Sequence, residues 1–459
     1  MFGKRGAIFL FVAIVLMALS ACGNTAPESD NIFVWEFDEH NRPIFDGHTL
    51  TIYTDWPAAT INPFIHSFMR EHPGSVIELR SFGGDSARGE EVLGVALMAG
   101  TAPDLIISFD MLDYLNPGAN VLFADWLPIM RSDPVFDDND WNMNILNGFA
   151  PDGRLTAFPM SVFYTYVAAN AAVPGLADDL SGLDAVFITD VMEMYDRFYS
   201  GDMHMMAGFD VLFAVEASMQ NFFGLEEGRV DFNNPDFIEL INSARRLTSP
   251  GQIFGNRWPG RLGSMEDEMN MSHRYMFAVS NNFYFQHFGV FEGEAYFTGP
   301  VPIADAGGQI IAQPQHYFLL NAASEQVQHA MAWEFVKFLM NPINWGDHMW
   351  MTLSHPTHNA LLRHQADAVL PISASSLFAP NWRIINGDPE AFSDTMLRQM
   401  DAIGRMPMTD SRYAPNIVMD AVREILEQFH HGHITAEAAA NDLQNRITLM
   451  LMEMGVMNR

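Results

Sequence analysis

Acidic and aromatic side chains follow three predicted strands in the N-terminal half of the sequence. Asp55 and Trp56 follow the first strand, Phe82 and Asp85 follow the second, and Asp110 follows the third. Flat aromatic rings can pack on the CH face of a sugar ring, and carboxylates make charge-assisted hydrogen bonds with hydroxyl groups. These residue types at strand ends therefore predict a binding site for a polar small molecule.

The elements that must position these residues alternate between strand and helix. The segments "HTLTIYTDW" and "SVIELRSF" and residues 105–109 predict strands, and "INPFIHSFMREHPG" and "GEEVLGVALMAG" predict the helices between them. This order is typical of a parallel sheet covered by helices. Ligands of such sheets bind beyond the carboxyl ends of the strands, which is where the acidic and aromatic residues lie.

Two later segments predict amphipathic helices. In "ASEQVQHAMAWEFVKFLMNP" a stripe from Val327 to Phe338 recurs at helical spacing, and Ser324 is expected to cap the helix start. The segments "NIVMDAVREILEQF" and "HGHITAE" predict a helical hairpin at the C-terminus, with Thr435 as the N-cap of its second helix. Most of these apolar residues are expected to be core.

Composition limits the classes of function. The chain has 459 residues, 49% of them hydrophobic, which is enough for two or three domain-sized cores. It carries 24 basic and 56 acidic residues, with a net charge of −32 and only two lysines, Lys4 and Lys337. Nucleic acid is excluded as a partner because phosphate contacts need clustered basic side chains. The sequence has no GxSxG or GxxxxGK[ST] motif, and we expect no cofactor. A secreted glycan-active enzyme with two carboxylates stays open as an alternative.

The N-terminus has the pattern of an export signal. Lys4 and Arg5 precede the apolar run "AIFLFVAIVLMALSA", which is shorter than the ~20 residues of a membrane-spanning helix. The run ends in "LSAC", which resembles a bacterial lipobox, and Cys22 is the only cysteine of the chain. We predict a lipoprotein signal peptide over 1–21, lipidation of Cys22 and a lipid-anchored tether over 22–47. The alternative is an ordinary secretory signal with a chance cysteine.

Four further segments carry a resemblance to a known family. They are "PDGRLTAFPMSVFYTYVAAN", "MFAVSNNFYFQHFG", "GPVPIADAGGQ" and "FHHGHITAEAAANDLQNRITLML". In this order they resemble the family 1 extracellular solute-binding proteins of ABC importers, the group that includes maltose-binding protein. The resemblance covers nearly the whole chain after the signal peptide.

The resemblance implies an α/β fold of two lobes, the periplasmic-binding-protein fold of type II. Each lobe would be a mixed, mostly parallel sheet flanked by helices, and hinge strands near 161–163 and 307–311 would join the lobes. The implied boundaries are 48–162 and 308–360 for lobe I, and 163–307 and 361–459 for lobe II.

The implied function is capture of a small solute by hinge closure, without chemistry, and its delivery to ABC permease subunits. An oligosaccharide is the expected solute, and a glycan fragment, a polyol or a short peptide stay open. The resemblance implies a monomer outside the cytoplasm, held by its lipid on the outer face of a Gram-positive membrane. A surface lipoprotein without a transport role is a further alternative.

The resemblance also adds candidate ligand residues in the crossing segment and the second lobe. They are Tyr164, Phe283, Tyr284, Tyr413 and Asn416. Phe163, Tyr166 and Phe222 are further candidates, and Phe163 and Phe222 are the weaker ones because a phenylalanine in a chain with 36 of them is usually core. We expect Trp56→Ala or Tyr284→Ala to weaken binding and to leave folding intact.

Histidines are grouped in two places, His430, His431 and His433 in one and His355 and His358 in the other. Zinc sites need three or four ligands that converge from rigid elements, and neither group has the companion glutamate of an HExxH motif. A histidine near a helix end also suits the helix dipole. We therefore expect no metal site.

Overall fold

The structure is a computed structural model. It describes residues 35–39, 42–108, 120–150, 153–199, 201, 203–206, 208–225, 228–249, 252–255, 274–280, 290–291, 294–295, 297–305, 307–345, 355–364, 408–410 and 416–457.

The described strands are labelled in chain order. They are β1 (Thr49–Thr54), β2 (Val76–Ser81), β3 (Leu105–Ser108), β4 (Ala157–Tyr164), β5 (Tyr166–Asn170), β6 (His204–Met206), β7 (Phe223–Gly224), β8 (Arg229–Val230), β9 (Tyr275–Ser280), β10 (Val290–Phe291), β11 (Glu294–Ala295), β12 (Phe297–Pro302), β13 (Ile310–Leu320), β14 (His355–Pro356) and β15 (Met408–Asp410).

The described α-helices are labelled in the same way. They are α1 (Ala58–Glu71), α2 (Ser86–Ala99), α3 (Trp126–Ser132), α4 (Met143–Gly148), α5 (Leu176–Ser181), α6 (Ile188–Phe198), α7 (Val211–Ser218), α8 (Pro235–Leu247), α9 (Gln326–Met340), α10 (Pro342–Trp345), α11 (Asn416–His430) and α12 (Ala436–Glu453). None of the helices in the described part of the chain has the length and apolar character needed to cross a bilayer.

The chain forms two compact units. Unit 1 comprises Met1–Asp137, Asp152–Phe158 and His316–Asn344, and unit 2 comprises Asp138–Pro151, Pro159–Gln315 and Trp345–Arg459. Two of the boundaries fall inside strands β4 and β13, so the chain passes from one unit to the other within these strands. The lobe boundaries given above remain a prediction.

Unit 1 contains the predicted strand–helix–strand–helix–strand segment. Strand β1 pairs in parallel with β2 on one side and with β3 on the other, and the C-terminal end of β13 pairs antiparallel with β3. Helix α1 has His72 as its C-cap residue, and Gly100 ends α2 in a left-handed conformation (φ 66°). Glycine adopts this conformation without the steric cost of a Cβ atom. The predicted parallel order of these elements is confirmed.

Helix α9 forms in unit 1 where the apolar stripe predicts it, but its N-cap differs from the prediction. Glu325 is the N-cap and makes no side-chain capping bond, so the prediction that Ser324 caps the helix is wrong. The Ser324 hydroxyl donates instead to Asp104 Oδ1 at 2.6 Å. Asp104 Oδ2 also accepts from the Thr51 N–H at 2.8 Å. A carboxylate is a strong acceptor, and the Asp104 carboxylate here links the residue before α9 to β1 by hydrogen bonds.

Unit 2 has its own sheet and core. Strands β12, β5, β9 and β6 lie side by side in that order, with β5 antiparallel to both β12 and β9 and β6 parallel to β9. The described part of this sheet is therefore mixed, as predicted, but it is mostly antiparallel where a mostly parallel sheet was predicted. Buried residues of α6, α7, α8, α11 and α12 pack with this sheet in one apolar cluster. The predicted C-terminal hairpin is confirmed by helices α11 and α12. Thr435 caps α12, as predicted, by accepting from the Ala438 N–H at 3.2 Å.

Candidate ligand-binding site

The carboxyl ends of β1 and β2 meet at one edge of the unit 1 sheet, and three predicted site residues lie there. Thr54 is the parallel register partner of the last residue of β2, so the segments that follow the two strands are neighbours. The Phe82 N–H donates to the Thr54 carbonyl at 2.9 Å, and the Gly84 N–H donates to the Asp55 carbonyl. Asp55, Trp56 and Phe82 are thereby held at the same edge of the sheet.

Trp56 is packed against β13. Its side chain is only 5% exposed, and its indole N–H donates to His316 Nδ1 at 3.4 Å. The two rings meet edge to face, with centroids 5.0 Å apart. Trp56 therefore contributes to the core of unit 1, and its truncation is expected to cost stability, contrary to the expectation from sequence alone.

His316 is the buried partner that holds the Trp56 ring. Burial lowers the pKa of His316 to about 4, so the imidazole is neutral at pH 7. Because Nδ1 accepts the indole proton, the ring proton of the neutral imidazole lies on Nε2. The sequence offers no signal for this pair, whose members are 260 residues apart.

Tyr53, Arg80 and Phe82 form an aromatic group with a cation beside it, which we call the Arg80 cluster. Tyr53 and Arg80 are register partners on β1 and β2. The Arg80 guanidinium carbon lies 5.3 Å from the centroid of each ring, and the two rings meet edge to face at 5.8 Å. Arg80 is exposed and both rings are partly exposed. Of these three residues only Phe82 is predicted from the sequence as a candidate ligand residue, although the alternation of β2 places Arg80 on the same face as Phe82.

The Arg80 cluster can bind a ligand that has both apolar and hydroxyl surfaces. Partly exposed aromatic rings supply apolar area at a small entropic cost, and the guanidinium supplies several N–H donors in a fixed plane. Asp85 lies on the same loop and caps α2 by accepting from the Arg88 N–H at 3.2 Å. The carboxylate of Asp85, a candidate ligand residue predicted from the sequence, is exposed, and the positive end of the α2 helix dipole stabilises its negative charge.

In unit 2, Tyr164 lies at the end of β4 in a buried aromatic cluster. It is 2% exposed, and its ring meets Tyr166 edge to face at 6.0 Å and His355 at 5.3 Å. His355 belongs to β14, which pairs with β4 opposite Val162. Burial lowers the pKa of His355 to about 3, and neither ring nitrogen has a hydrogen-bond partner in the described part of the chain.

Several predicted residues cannot be placed. The candidate ligand residues Asp110, Phe283, Tyr284 and Tyr413 and the predicted lipidation residue Cys22 lie outside the described residues. Asn416 begins α11, where only its backbone is described.

The two histidine groups show no metal-binding geometry in the residues that the structure describes. Among these residues no three His, Cys, Asp or Glu side chains lie close enough together to hold a metal ion. Burial lowers the pKa of His358 and of His430, which favours their neutral forms. The rings of His430, His431 and His433 instead pack against one another, with neighbouring centroids 5.1 and 6.0 Å apart.

No protein-family model and no curated protein sequence matches the chain. Solved structures do match it over most of its length. A periplasmic oligogalacturonide binding protein from Yersinia enterocolitica superposes with a TM-score of 0.59 at 12% identity, covering 88% of this chain and 99% of that one. The fold is that of a family 1 extracellular solute-binding protein. Such a protein from Alicyclobacillus acidocaldarius gives a TM-score of 0.58 at 13% identity, covering 89% of this chain and 99% of that one. The sugar-binding protein MalE from Xanthomonas citri gives 0.57 at 15%, covering 89% of this chain and 98% of that one. The periplasmic-binding-protein fold predicted from the sequence is confirmed.

Proposed function

We propose that the chain is the extracytoplasmic solute-binding component of an ABC importer and that its solute is an oligosaccharide. The observation that carries this proposal is the likeness in fold to sugar-binding proteins over 88–89% of the chain. In the proposed mechanism the solute favours a closed form of the protein by its higher affinity for that form. The strands β4 and β13, in which the chain changes units, are the proposed hinges. A membrane permease then takes up the solute, and no bond is broken.

The Arg80 cluster supports the choice of a carbohydrate. Its two partly exposed rings can pack on the CH face of a pyranose, while the exposed Arg80 guanidinium can donate hydrogen bonds to ring hydroxyls. The hydrogen bond between the buried Trp56 and the neutral His316 fixes the loop that follows β1. The proposed role of these residues is to present a rigid surface to the sugar.

Net charge favours an uncharged sugar over an acidic one. A charge of −32 creates a negative potential that lowers the local concentration of anions and slows their association. The exposed Arg80 guanidinium does not offset this field. The proposed solute is therefore a neutral oligosaccharide, although one fold relative binds an oligogalacturonide.

The location of the receptor is part of the proposal. We propose that Cys22 is acylated and holds a monomer on the outer face of the cell membrane, beside its permease. More than one acyl chain is needed for firm anchoring, since each buried CH₂ contributes only about 0.8 kcal/mol. Incorporation of labelled palmitate in the parent and its loss in Cys22→Ala tests the anchor independently of the solute.

The proposed function is tested by thermal unfolding of the chain against a panel of neutral oligosaccharides, with oligogalacturonides and short peptides as further arms. A matched sugar at 100 times its Kd stabilises the folded protein by about 2.7 kcal/mol, which is a shift of several degrees. The sugar should be recovered chemically unchanged. Hydrolysis of the sugar would favour the glycan-active enzyme, and no shift with any solute would favour a surface lipoprotein without a transport role.

Phe82 allows the site itself to be tested. We expect Phe82→Leu to lower affinity for the identified sugar roughly three- to tenfold, the equivalent of one aromatic contact of about 0.5–1.5 kcal/mol. Tyr199→Leu is the matched control, because Tyr199 is a 50% exposed aromatic residue of unit 2. Equal affinities of Phe82→Leu and the parent would remove the Arg80 cluster from the site.

A further inference from the structure

The first described residues of the chain form a short hairpin on unit 1, residues 35–39 and 42–45, which we call the strap. Phe37 and Pro43 face each other in an antiparallel bridge, and the Ile44 N–H donates to the Glu36 carbonyl at 2.8 Å. The Arg42 guanidinium forms an ion pair with Asp38 within the hairpin, at 2.6 Å. The strap therefore has its own internal hydrogen bonds, although the sequence predicts a tether there.

Trp35 attaches the strap to α3 and α9. Its indole N–H donates to the Ser132 hydroxyl at 3.4 Å. Its ring stacks on Phe37 at 6.3 Å and meets Phe45 edge to face at 6.4 Å. Phe45 is only 1% exposed, so the end of the strap is part of the core of unit 1.

The Trp35 ring lies near the ammonium group of Lys337, which is paired with two carboxylates. Lys337 Nζ lies 2.6 Å from Asp133 Oδ2, 2.6 Å from Glu334 Oε2 and 5.8 Å from the centroid of the Trp35 ring. The Trp333 indole N–H also donates to Asp133 Oδ2, at 2.9 Å. Asp133 is buried, and the carboxylates of Asp133 and Glu334 hold the Lys337 ammonium group in place near the Trp35 ring. A cation within about 6 Å of a ring centroid is attracted to the ring, and the Lys337 ammonium lies within that distance of Trp35.

A second contact holds the other strand of the strap. His72 Nδ1 lies 3.3 Å from the Pro43 carbonyl, to which it can donate. The His72 ring stacks on Phe68 of α1 at 4.4 Å and lies 6.0 Å from Phe45. Both ends of the strap therefore contact helices of the same unit.

We propose that docking of the strap shortens the linker between the membrane and unit 1, the unit to which the N-terminal segment belongs. The contacts above support the docking, and only its consequence at the membrane rests on the proposed acylation of Cys22. With the strap docked, the predicted linker is reduced to the twelve residues 23–34, which span at most about 40 Å at ~3.3–3.6 Å per residue. With the strap released, the linker runs through 23–48 and spans up to about 90 Å.

Docking is tested by hydrogen exchange of the full chain in detergent. In Trp35→Ala we expect the amides of Asp38 and Ile44, which are bonded across the hairpin, to exchange at least about tenfold faster than in the parent. Trp35→Phe keeps a ring over Lys337 and should exchange at an intermediate rate, and it serves if the alanine variant fails to fold. Ile44→Ala is the matched control, because this side chain is 37% exposed. Unchanged exchange in both Trp35 variants would overturn the docking.

The consequence for the linker is tested by cleavage with a glutamate-specific protease on lipid vesicles that carry the acylated chain. Glu28 lies in the predicted linker, and Glu36 and Glu39 lie in the strap. We expect the parent to be cut after Glu28, and Trp35→Ala to be cut after Glu28 and also after the strap glutamates, as read from the mass of the released body. Equal cleavage in the linker and in the strap of the parent would overturn the proposal. A missing response to sugars would overturn the proposed function and leave the strap standing.

Discussion

Truncation of Trp56 tests the packing at the candidate site. The side chain is 5% exposed and donates to a buried histidine, so Trp56→Ala removes core packing and a hydrogen bond together. Loss of a packed tryptophan costs about 3–5 kcal/mol through the cavity it leaves. Removal of the Trp56 N–H donor from the buried His316 adds about 1–3 kcal/mol. The total is a large part of the roughly 5–15 kcal/mol that stabilises a folded domain.

Two substitutions separate the packing from the hydrogen bond. Trp56→Phe keeps most of the apolar surface and loses the N–H donor, so we expect it to cost about 1–3 kcal/mol, well below the alanine variant. Urea unfolding at pH 7, followed by far-ultraviolet circular dichroism, measures both values, and two units can give two transitions that are fitted separately. Ile343→Ala is the exposed control, because this side chain is 85% exposed, and it should change stability by less than about 0.5 kcal/mol. A loss of unfolding free energy below about 1 kcal/mol for Trp56→Ala would show that Trp56 is not packed in the core of unit 1.

Two other changes test the burial of His355 and the backbone at Gly74. The unfolded state binds a proton on His355 near the ordinary pKa of 6.5, whereas burial lowers the folded pKa to about 3. Stability is therefore complete above pH 6.5 and is lost as pH falls toward 3, by up to about 1.4 kcal/mol per pH unit. In His355→Leu this contribution to the slope should disappear in urea titrations between pH 7 and pH 4, and an unchanged slope would contradict the assignment. Gly74 has φ +91°, and a Cβ there would lie 2.0 Å from Asp46 Oδ1. Gly74→Ala should destabilise the protein by more than Gly83→Ala, where φ is +63° and nothing lies within 4 Å of the Cβ, so that only the roughly 1–2 kcal/mol of left-handed strain applies. Equal losses would show that the contact relaxes freely.

Local pattern predicted much of the fold. The alternation of strands and helices from β1 to β3 and the cap at Thr435 depend on residues close in sequence, and both are confirmed. Helix α9 also forms where its apolar stripe indicates. The error at Ser324 has a tertiary cause, because Asp104, 220 residues away, takes the hydroxyl that could have capped the helix.

The candidate site was less predictable because its contacts are long-range. The sequence places Trp56 in a loop beside Asp55, where a tryptophan could face a ligand. The structure pairs it with His316 on a strand far along the chain, and only the fold brings the two together. Outside the candidate site, the ion pair of Asp133 and Lys337 is equally unpredictable, because the two residues are 204 residues apart in sequence. Strand alternation could have indicated Tyr53 and Arg80, since they lie on adjacent strands in register.

In the proposed function a neutral oligosaccharide closes a two-lobed receptor and is not altered. Small-angle X-ray scattering of the full chain, with and without the sugar found by thermal unfolding, measures this closure. We expect the radius of gyration to fall when the sugar saturates the protein, and the free sugar to stay intact by mass spectrometry. A saturated protein with an unchanged radius of gyration, or a hydrolysed sugar, would contradict the proposed function.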